Sequence, residues 1–434
     1  MTIEMRADID RERVAARAAS SGGRVSADAA SSLPLRMVVL FGAACGLSVA
    51  NIYFAHPLLD AMARAFAIEP ATIGIVVTVT QIGYALGLIF IVPLGDLMDR
   101  RRLVVGQAIL SAAALTIVGT APNTTILLTG MFAVGLLAVT VQVLVAFAAS
   151  LAAPGERGRV VGMVTSGVVI GILLARFVSG VLADLGGWRS VYLTSAGLML
   201  MMAGLLFRAL PRHSSNATAA SYPELLRSIV TLFRQEPVLR VRAILALLIF
   251  ASFNVLWAPL ALPLSAAPFS LSHTEIGMFG LAGVIGALAA GQAGRLADRG
   301  LGQTTTGLSL GLMLVAWLPI ALMGVSLWAL IAGVIVLDLA IQAVHVTSQS
   351  MLFAGRPEAH SRLVGAYMFF YSIGSASGAI AATHVYAHAS WSGVCALGGA
   401  IGAVALLFWA ATRHLVAKQP AGQAHRSKPR LVAD

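Results

Sequence analysis

Lysine is almost missing from this chain. Of 29 Lys+Arg residues only two are lysines, Lys418 and Lys428, both near the C-terminal end. Neither sits in a glycine-rich turn followed by Ser or Thr, so the chain carries no phosphate-binding loop and cannot by itself be an ATP-driven pump. Charge is scarce altogether: 11% of 434 residues, where a soluble protein carries roughly a quarter. Cysteine is reduced to Cys45 and Cys395. Both fall in apolar stretches, which excludes a disulfide framework and reads as two small apolar residues at helix contacts or in lipid. There is no CxxC pair, no HExxH motif, and no nucleophile, base or metal set at a convincing spacing. An enzyme is therefore not expected, nor a metal or cofactor.

Apolar sequence fills the space that charge leaves. The chain is 58% hydrophobic with a mean hydropathy of +0.88. Its apolar runs have the ~20-residue length that crosses a bilayer core of ~30 Å. Twelve spans are read, at about 35–60, 71–95, 102–121, 125–150, 159–183, 188–208, 240–264, 274–296, 304–323, 327–352, 362–384 and 391–412. The net charge of +11 invites a polyanion partner, but its distribution argues otherwise. With the N-terminus on the inner side, Arg64 and Arg189 fall outside, Arg176 falls within span 5, and the other 26 basic residues fall inside. That is the positive-inside pattern. It predicts a multi-pass protein with both termini cytoplasmic and no nucleic-acid partner. Residues 1–34 hold five acids, five arginines and no apolar core, unlike a cleavable signal. Trp188, Trp328 and Trp391 stand at outer ends of spans, where interfacial anchoring is expected.

The chain also repeats itself at an offset of 203 residues. Ile73-Gly74 and Ile82-Gly83 recur as Ile276-Gly277 and Ile285-Gly286. Pro154, Arg159, Val161 and Gly162 recur as Pro357, Arg362, Val364 and Gly365, Gly171 as Gly374, and Asn51 as Asn254. A constant offset means two similar halves with almost no insertions, as in transporters built from two parallel bundles. The predicted fold is an all-α membrane protein of twelve transmembrane helices in two pseudo-symmetric six-helix bundles. Its domains are a tail 1–34, a bundle 35–208, a linker 209–239, a bundle 240–412 and a basic tail 413–434. In the linker, Tyr222-Pro223-Glu224 opens an amphipathic segment that reads as a helix on the inner membrane surface, a tether rather than a partner site.

Between spans 2 and 3 the chain reads Pro93-Leu94-Gly95-Asp96-Leu97-Met98-Asp99-Arg100-Arg101-Arg102, and in the second half Gly294-Arg295-Leu296-Ala297-Asp298-Arg299-Gly300. These turns resemble the signature of the major facilitator superfamily, G-x-L-a-D-r-x-G-R-R. Val92 and Asp99 stand where glycines are usual, and Leu97 where Arg is usual. The resemblance implies a gate in which Asp96, Arg100, Arg101, Asp298 and Arg299 contact neighbouring helix ends in one access state. A carboxylate near a helix N-terminus is stabilised by ~0.3–1 kcal/mol, enough to bias a conformational equilibrium. The bland alternative is a basic anchor with a helix stop.

Small residues line span 5 at Gly162, Gly167, Gly171, Ala175, Ser179 and Gly180, and span 11 at Gly365, Gly374 and Gly378. Such spacing lets helix backbones approach closely. It resembles the antiporter motif of proton-coupled drug exporters, with Ala175-Arg176 in place of Gly-Pro and Ser179-Gly180 in place of Gly-Gly. Gly280, Gly283 and Gly286 of span 8 read as another close-packing face. Arg176 lies deep enough to need an interior partner, unless it snorkels outward.

Span 10 carries Asp338, Gln342, His345 and Gln349 at steps of four, three and four, which puts them on one helical face. A buried carboxyl there can gain and lose a proton as access to water alternates, and histidine titrates near neutrality. Asp338 and His345 are the candidates for proton coupling; a static pair of Asp338 with Arg176 is the alternative. The superfamily resemblance implies that the first and fourth helices of each half line the central cavity. It therefore assigns Asn51, Gln142, Asn254 and Gln342 to the substrate cavity, with Tyr53, His56, Gln81, Tyr84 and Trp257 as secondary candidates. Asn51 through Leu59 also resembles the first span of the twelve-span bacterial drug:proton antiporter branch. The expectation is a monomeric transporter of a bacterial cell inner membrane that exports a small organic compound in exchange for protons. An importer or uniporter is the nearest alternative, and a transporter-like membrane sensor an alternative of another class.

Overall fold

The computed structural model describes residues 33–153, 156–211, 222–353 and 360–416. The two tails, the polar stretch 212–221 and the side chains of Asp96, Gly286 and Asp298 lie outside the described residues. Nine of the described helices are long and apolar enough to cross a bilayer. One of them, Leu363–Leu415, is 53 residues long, enough for two crossings, and the chain breaks within it at Ser390 with φ 55°. Ile75–Phe90 is a shorter apolar helix, and His273–Leu296 adds another of 24 residues. This order accommodates the twelve expected spans.

Local chemistry sets the breaks. Span 1 runs as a helix over Leu35–Tyr53, tightens into a 3-10 turn at His56–Leu58 around Pro57, and resumes over Leu59–Phe66. Proline lacks the N–H that would continue an α-helix. Span 4 is likewise divided at Val139, into Thr124–Ala138 and Thr140–Leu151. Asp99, the residue that replaces a signature glycine, caps span 3: its Oδ1 accepts from the Arg102 N–H at 3.1 Å. Span 5 is one continuous helix, Arg157–Gly186, that stops at Gly187 with φ 76°, a conformation glycine adopts without steric cost.

Each bundle is held by glycine contacts that the repeat duplicates. A Cβ on Gly171 of span 5 would meet the Gly46 carbonyl oxygen of span 1 at 2.3 Å, and one on Gly374 of span 11 would meet Leu247 O of span 7 at 2.0 Å. Gly167 and Gly378 make the same kind of contact, with Gly42 and Ala251. Gly162 and Gly365 do not, since nothing lies within 4 Å of a Cβ there. The expected belt of interfacial tryptophans is corrected in two of three places. Trp328 is 79% exposed, but Trp188 and Trp391 are buried. Trp188 packs on Phe66, Tyr192 and the Arg189 guanidinium, and Trp391 Nε1 donates to Ile320 O at 3.0 Å. An indole N–H with a protein acceptor has no need of the interface.

The side of the molecule that carries the linker helix, at the Phe90 end of span 2, is the terminal face, and the opposite side the far face. The bundles meet along two seams, span 5 on span 8 and span 2 on span 11. Direct hydrogen bonds between the bundles among the described residues lie at mid-depth or toward the far face. The linker helix, Tyr222–Gln235, touches both halves at the terminal face: Tyr222 Oη donates to Phe90 O at 2.9 Å, and the Phe233 ring stacks on Phe370 at 5.0 Å.

Candidate functional site

Arg176 and Asp338 come together at mid-molecule, from opposite bundles, against the glycine face of span 8. Arg176 is 1% exposed and Asp338 4%. Gly280 leaves room for Arg176, whose Cβ stands 3.0 Å from where a Gly280 Cβ would be, and Gly283 leaves room for Asp338, whose Oδ2 would be 2.2 Å from a Cβ. The two charged groups do not form an ion pair. Trp257 of span 7 stands between them: its Nε1 donates to Asp338 Oδ1 at 3.3 Å, and its ring lies 3.9 Å from the Arg176 guanidinium carbon. Tyr53 and Phe253 each place a ring 5.2 Å from the same carbon. The Tyr53 and Tyr371 hydroxyls are hydrogen-bonded to each other across the bundles. His56 places Nε2 3.3 Å from Asn254 Oδ1 and Nδ1 3.2 Å from Tyr53 O. A small pocket opens beside this cluster, lined by His56, Arg176, Trp257, Leu260, Ala261 and Ile276.

The polar face of span 10 is split. His345 lies seven residues beyond Asp338, about 10 Å along the helix. It has its own partners: Nδ1 with Tyr367 Oη at 2.9 Å and Nε2 with the Gln349 amide at 3.2 Å. Gln342, between them, is half-buried with no described hydrogen bond. Asn51 faces its own bundle, accepting from Ser195 Oγ at 2.7 Å. Gln142 Nε2 donates to Tyr84 Oη at 3.4 Å, and the Tyr84 ring stands 6.3 Å from Tyr371. Gln81 is buried with neither amide atom partnered among the described residues. Thus Tyr53, His56, Arg176, Asn254, Trp257 and Asp338 form one cluster; Tyr84 and Gln142 sit at its edge; His345 and Asn51 belong to other networks.

In the signature turn, the described hydrogen bonds of Arg100 and Arg101 stay within their own bundle. Arg100 donates from Nε to Gly95 O at 3.0 Å and from Nη1 to Ala146 O at 3.1 Å. Arg101 donates to Phe207 O and lies over the Phe207 ring at 4.6 Å. Arg299 is exposed.

Three residues that sequence reasoning missed join the bundles at the far face. Asp184, at the end of span 5, accepts from the backbone N–H of His273 at 3.2 Å and of Thr274 at 2.8 Å, which caps span 8 from the other bundle. His273 Nδ1 lies 2.9 Å from Asp184 Oδ1, and its Nε2 lies 3.5 Å from Asp60 Oδ1 of span 1. Arg64 closes the group, 2.8 Å from Asp60 Oδ2. The Asp60 carboxylate, and then that of Asp184, hold the His273 imidazole above the ordinary histidine range against its partial burial. Tyr371 and Phe253 of the central box were missed as well. So was the depth of Arg242, which is fully buried in span 7 and donates to Thr306 Oγ1 and Met351 Sδ, each at 2.9 Å.

Comparison with known proteins gives this geometry a context. The family model described as Major Facilitator Superfamily matches residues 38–299 and 243–433. The chain is 45% identical over 373 residues to a putative uncharacterized transporter, YgaY, of Escherichia coli, covering 86% of this chain and 94% of that one. It is 30% identical over 392 residues to a probable transporter of Streptomyces coelicolor, covering 90% and 89%. Among solved structures, a bacterial homolog of the human lysosomal transporter Spinster, inward-facing and occupied, aligns with a TM-score of 0.73 at 14% identity over 90% of this chain and all of that one.

Proposed function

Because the chain belongs to the major facilitator superfamily and is a membrane transporter, we propose that it moves a small organic solute by proton-coupled alternating access, with Asp338 as the proton-carrying group. One observation carries this reading: a buried carboxyl and a buried guanidinium, supplied by different bundles, flank Trp257 beside the span 5–span 8 seam. Protonating Asp338 changes the charge balance of a site shared by both bundles, so it changes the free energy of rocking one against the other. The arginine distribution supports a cytoplasmic terminal face in a bacterial inner membrane. The far-face cluster then seals the outer side, and the turns bearing Asp96 and Asp298 take over in the opposite state.

Export against proton entry is the first reading of direction, supported by the resemblance of Asn51–Leu59 and of the small-residue pattern in spans 5 and 11 to drug:proton antiporters. Uptake together with a proton is the second reading. It is favoured by the Arg176 guanidinium, which lacks a carboxylate at ion-pair distance among the described residues: a protonated Asp338 would leave it as the net charge of the site. Flux in proteoliposomes with and without a pH gradient tests the proposal. Asp338→Asn keeps the shape and the indole contact but removes the titration. It is expected to lower pH-driven accumulation roughly 100-fold, the upper range of a coupling free energy, and to spare downhill exchange. Full pH-driven accumulation by well-folded Asp338→Asn protein removes Asp338 from the mechanism. The sign of solute movement under an inward proton gradient separates the two directions.

A further inference from the structure

Two nitrogens of the Arg176 guanidinium have nothing to donate to among the described residues. The side chain is almost wholly buried, yet Nε and Nη2 have no hydrogen-bond partner. No described hydrogen bond or ion pair involves any of its guanidinium nitrogens. A guanidinium has five N–H donors arranged in a plane. Here Trp257, Tyr53 and Phe253 approach its carbon, and their rings attract the positive charge without accepting an N–H hydrogen bond in the plane. The donors at the edge of the plane remain. Asp338 is held apart, with one oxygen engaged by the Trp257 indole, and it does not line the pocket; Arg176 does.

We infer that this pocket binds the anionic group of the transported solute, a small organic acid with a flat or compact apolar body. The inference rests on the transport reading above and names the chemical class that the reading leaves open. A carboxylate or sulfonate presents two coplanar acceptors to the fork of Arg176, the geometry at which arginine is most selective. Trp257 and the aliphatic walls Leu260, Ala261 and Ile276 take the apolar body, and His56 stands at the rim. The polar candidates read from the sequence suit weak cations, neutral amphiphiles and even sugars; the unpartnered guanidinium selects an anion instead.

Purified full-length protein in detergent would be heated with shape-matched probes: benzoate and benzenesulfonate, then benzamide, benzyl alcohol and benzylamine. The expected result is a rise in melting temperature with the anions alone, removed by Arg176→Gln and restored in part by Arg176→Lys. The Arg176→Gln protein without ligand is expected to melt at or above the parent temperature, because it loses an unsatisfied buried charge. Equal or greater stabilisation by benzylamine or the neutral probes overturns the inference, as does no stabilisation by either anion. An Arg176→Gln protein that no longer folds overturns it too, since that marks a structural ion. Failure here with Asp338-dependent, pH-driven flux intact would remove the anion and leave the transport reading. Anion binding without any pH-driven flux would do the reverse.

Discussion

The two seams between the bundles are copies of one another, and they differ in charge. On one, Gly277 of span 8 packs against the Arg176 carbonyl of span 5; on the other, Gly74 of span 2 packs against the Ala379 carbonyl of span 11. Gly74 and Gly277, and Ala379 and Arg176, are 203 residues apart. The backbone contact is the same, 2.4 Å and 2.5 Å from a built Cβ to the carbonyl oxygen, but one copy carries a guanidinium. The rest of each seam follows suit. Span 2 and span 11 are tied by neutral groups, Gly74 N–H to Thr383 Oγ1 at 3.3 Å and Thr78 Oγ1 to Ala376 O at 2.9 Å. Span 5 and span 8 are tied by Asp184, His273 and Thr274. Asp338 has the same history. Its counterpart Gly135 lies so close to span 2 that a Cβ would meet Thr80 O at 1.8 Å; in the second bundle Gly283 replaces Thr80 and the space holds a carboxylate. A duplicated scaffold thus keeps one seam as a neutral bearing and uses the other for titratable chemistry.

The most severe way to break that comparison is to charge the neutral seam. Ala379 is fully buried, and the repeat sets Leu256, Ala50 and Phe54 in place of the Tyr53, Phe253 and Trp257 rings that surround Arg176. An uncompensated buried charge costs ~3–5 kcal/mol, so the yield of monodisperse protein in size-exclusion chromatography is expected to collapse. A normal yield would show that position 379 tolerates what position 176 holds. Next in size is Asp184→Asn, which weakens the cap on span 8 and the contact to His273. A loss of ~1–2 kcal/mol raises the far-face-open population roughly tenfold. Spin labels at Leu185 and His388 should report it as a longer distance component; an unchanged distance distribution would leave the cluster without a sealing role. Thr78→Val on the neutral seam removes one ordinary hydrogen bond, worth ~1 kcal/mol. It should produce the same change at about half the free energy.

The smallest effect expected is a pH response confined to the charged seam. His273 in the sealed state has a raised pKa, chiefly through Asp60. Its contribution to sealing is complete below the unperturbed value of about 6.5, and it is lost as pH rises through the raised value. Alkaline conditions at the far face should therefore lengthen the Leu185–His388 distance, and His273→Gln should flatten that response. A response of opposite sign would assign the titration to another group.

Much of the fold was legible because its signals are local or periodic. Apolar length marked the spans, the 203-residue offset marked the two bundles, and i, i+3 spacing marked Gly280 and Gly283 as a packing face. The depth of Arg176 and Asp338 singled them out, since charge inside a span is rare. Less of the site was legible. Asp60, Asp184 and His273 correspond to Pro263, Ala387 and Pro70, so the repeat is silent about them. Each lies near a span end, where polar residues are ordinary, and they meet only through the docking of two bundles. Tyr371 corresponds to Val168 and reads as one more aromatic in an apolar helix. Helical spacing placed Asp338 and His345 on one face; it carries no information about Trp257 and Tyr367, the neighbours that divide that face into two networks.

The helix Tyr222–Gln235 has one more consequence. Tyr222 is bonded to span 2 in one bundle, and Phe233 is stacked on span 11 of the other. Any rocking that brings the terminal ends of those spans closer must shear one of these two attachments. The linker is therefore a built-in strain gauge. An environment-sensitive fluorophore on this amphipathic helix, at Glu224 for instance, would register each turnover of the transporter without a label in the translocation path.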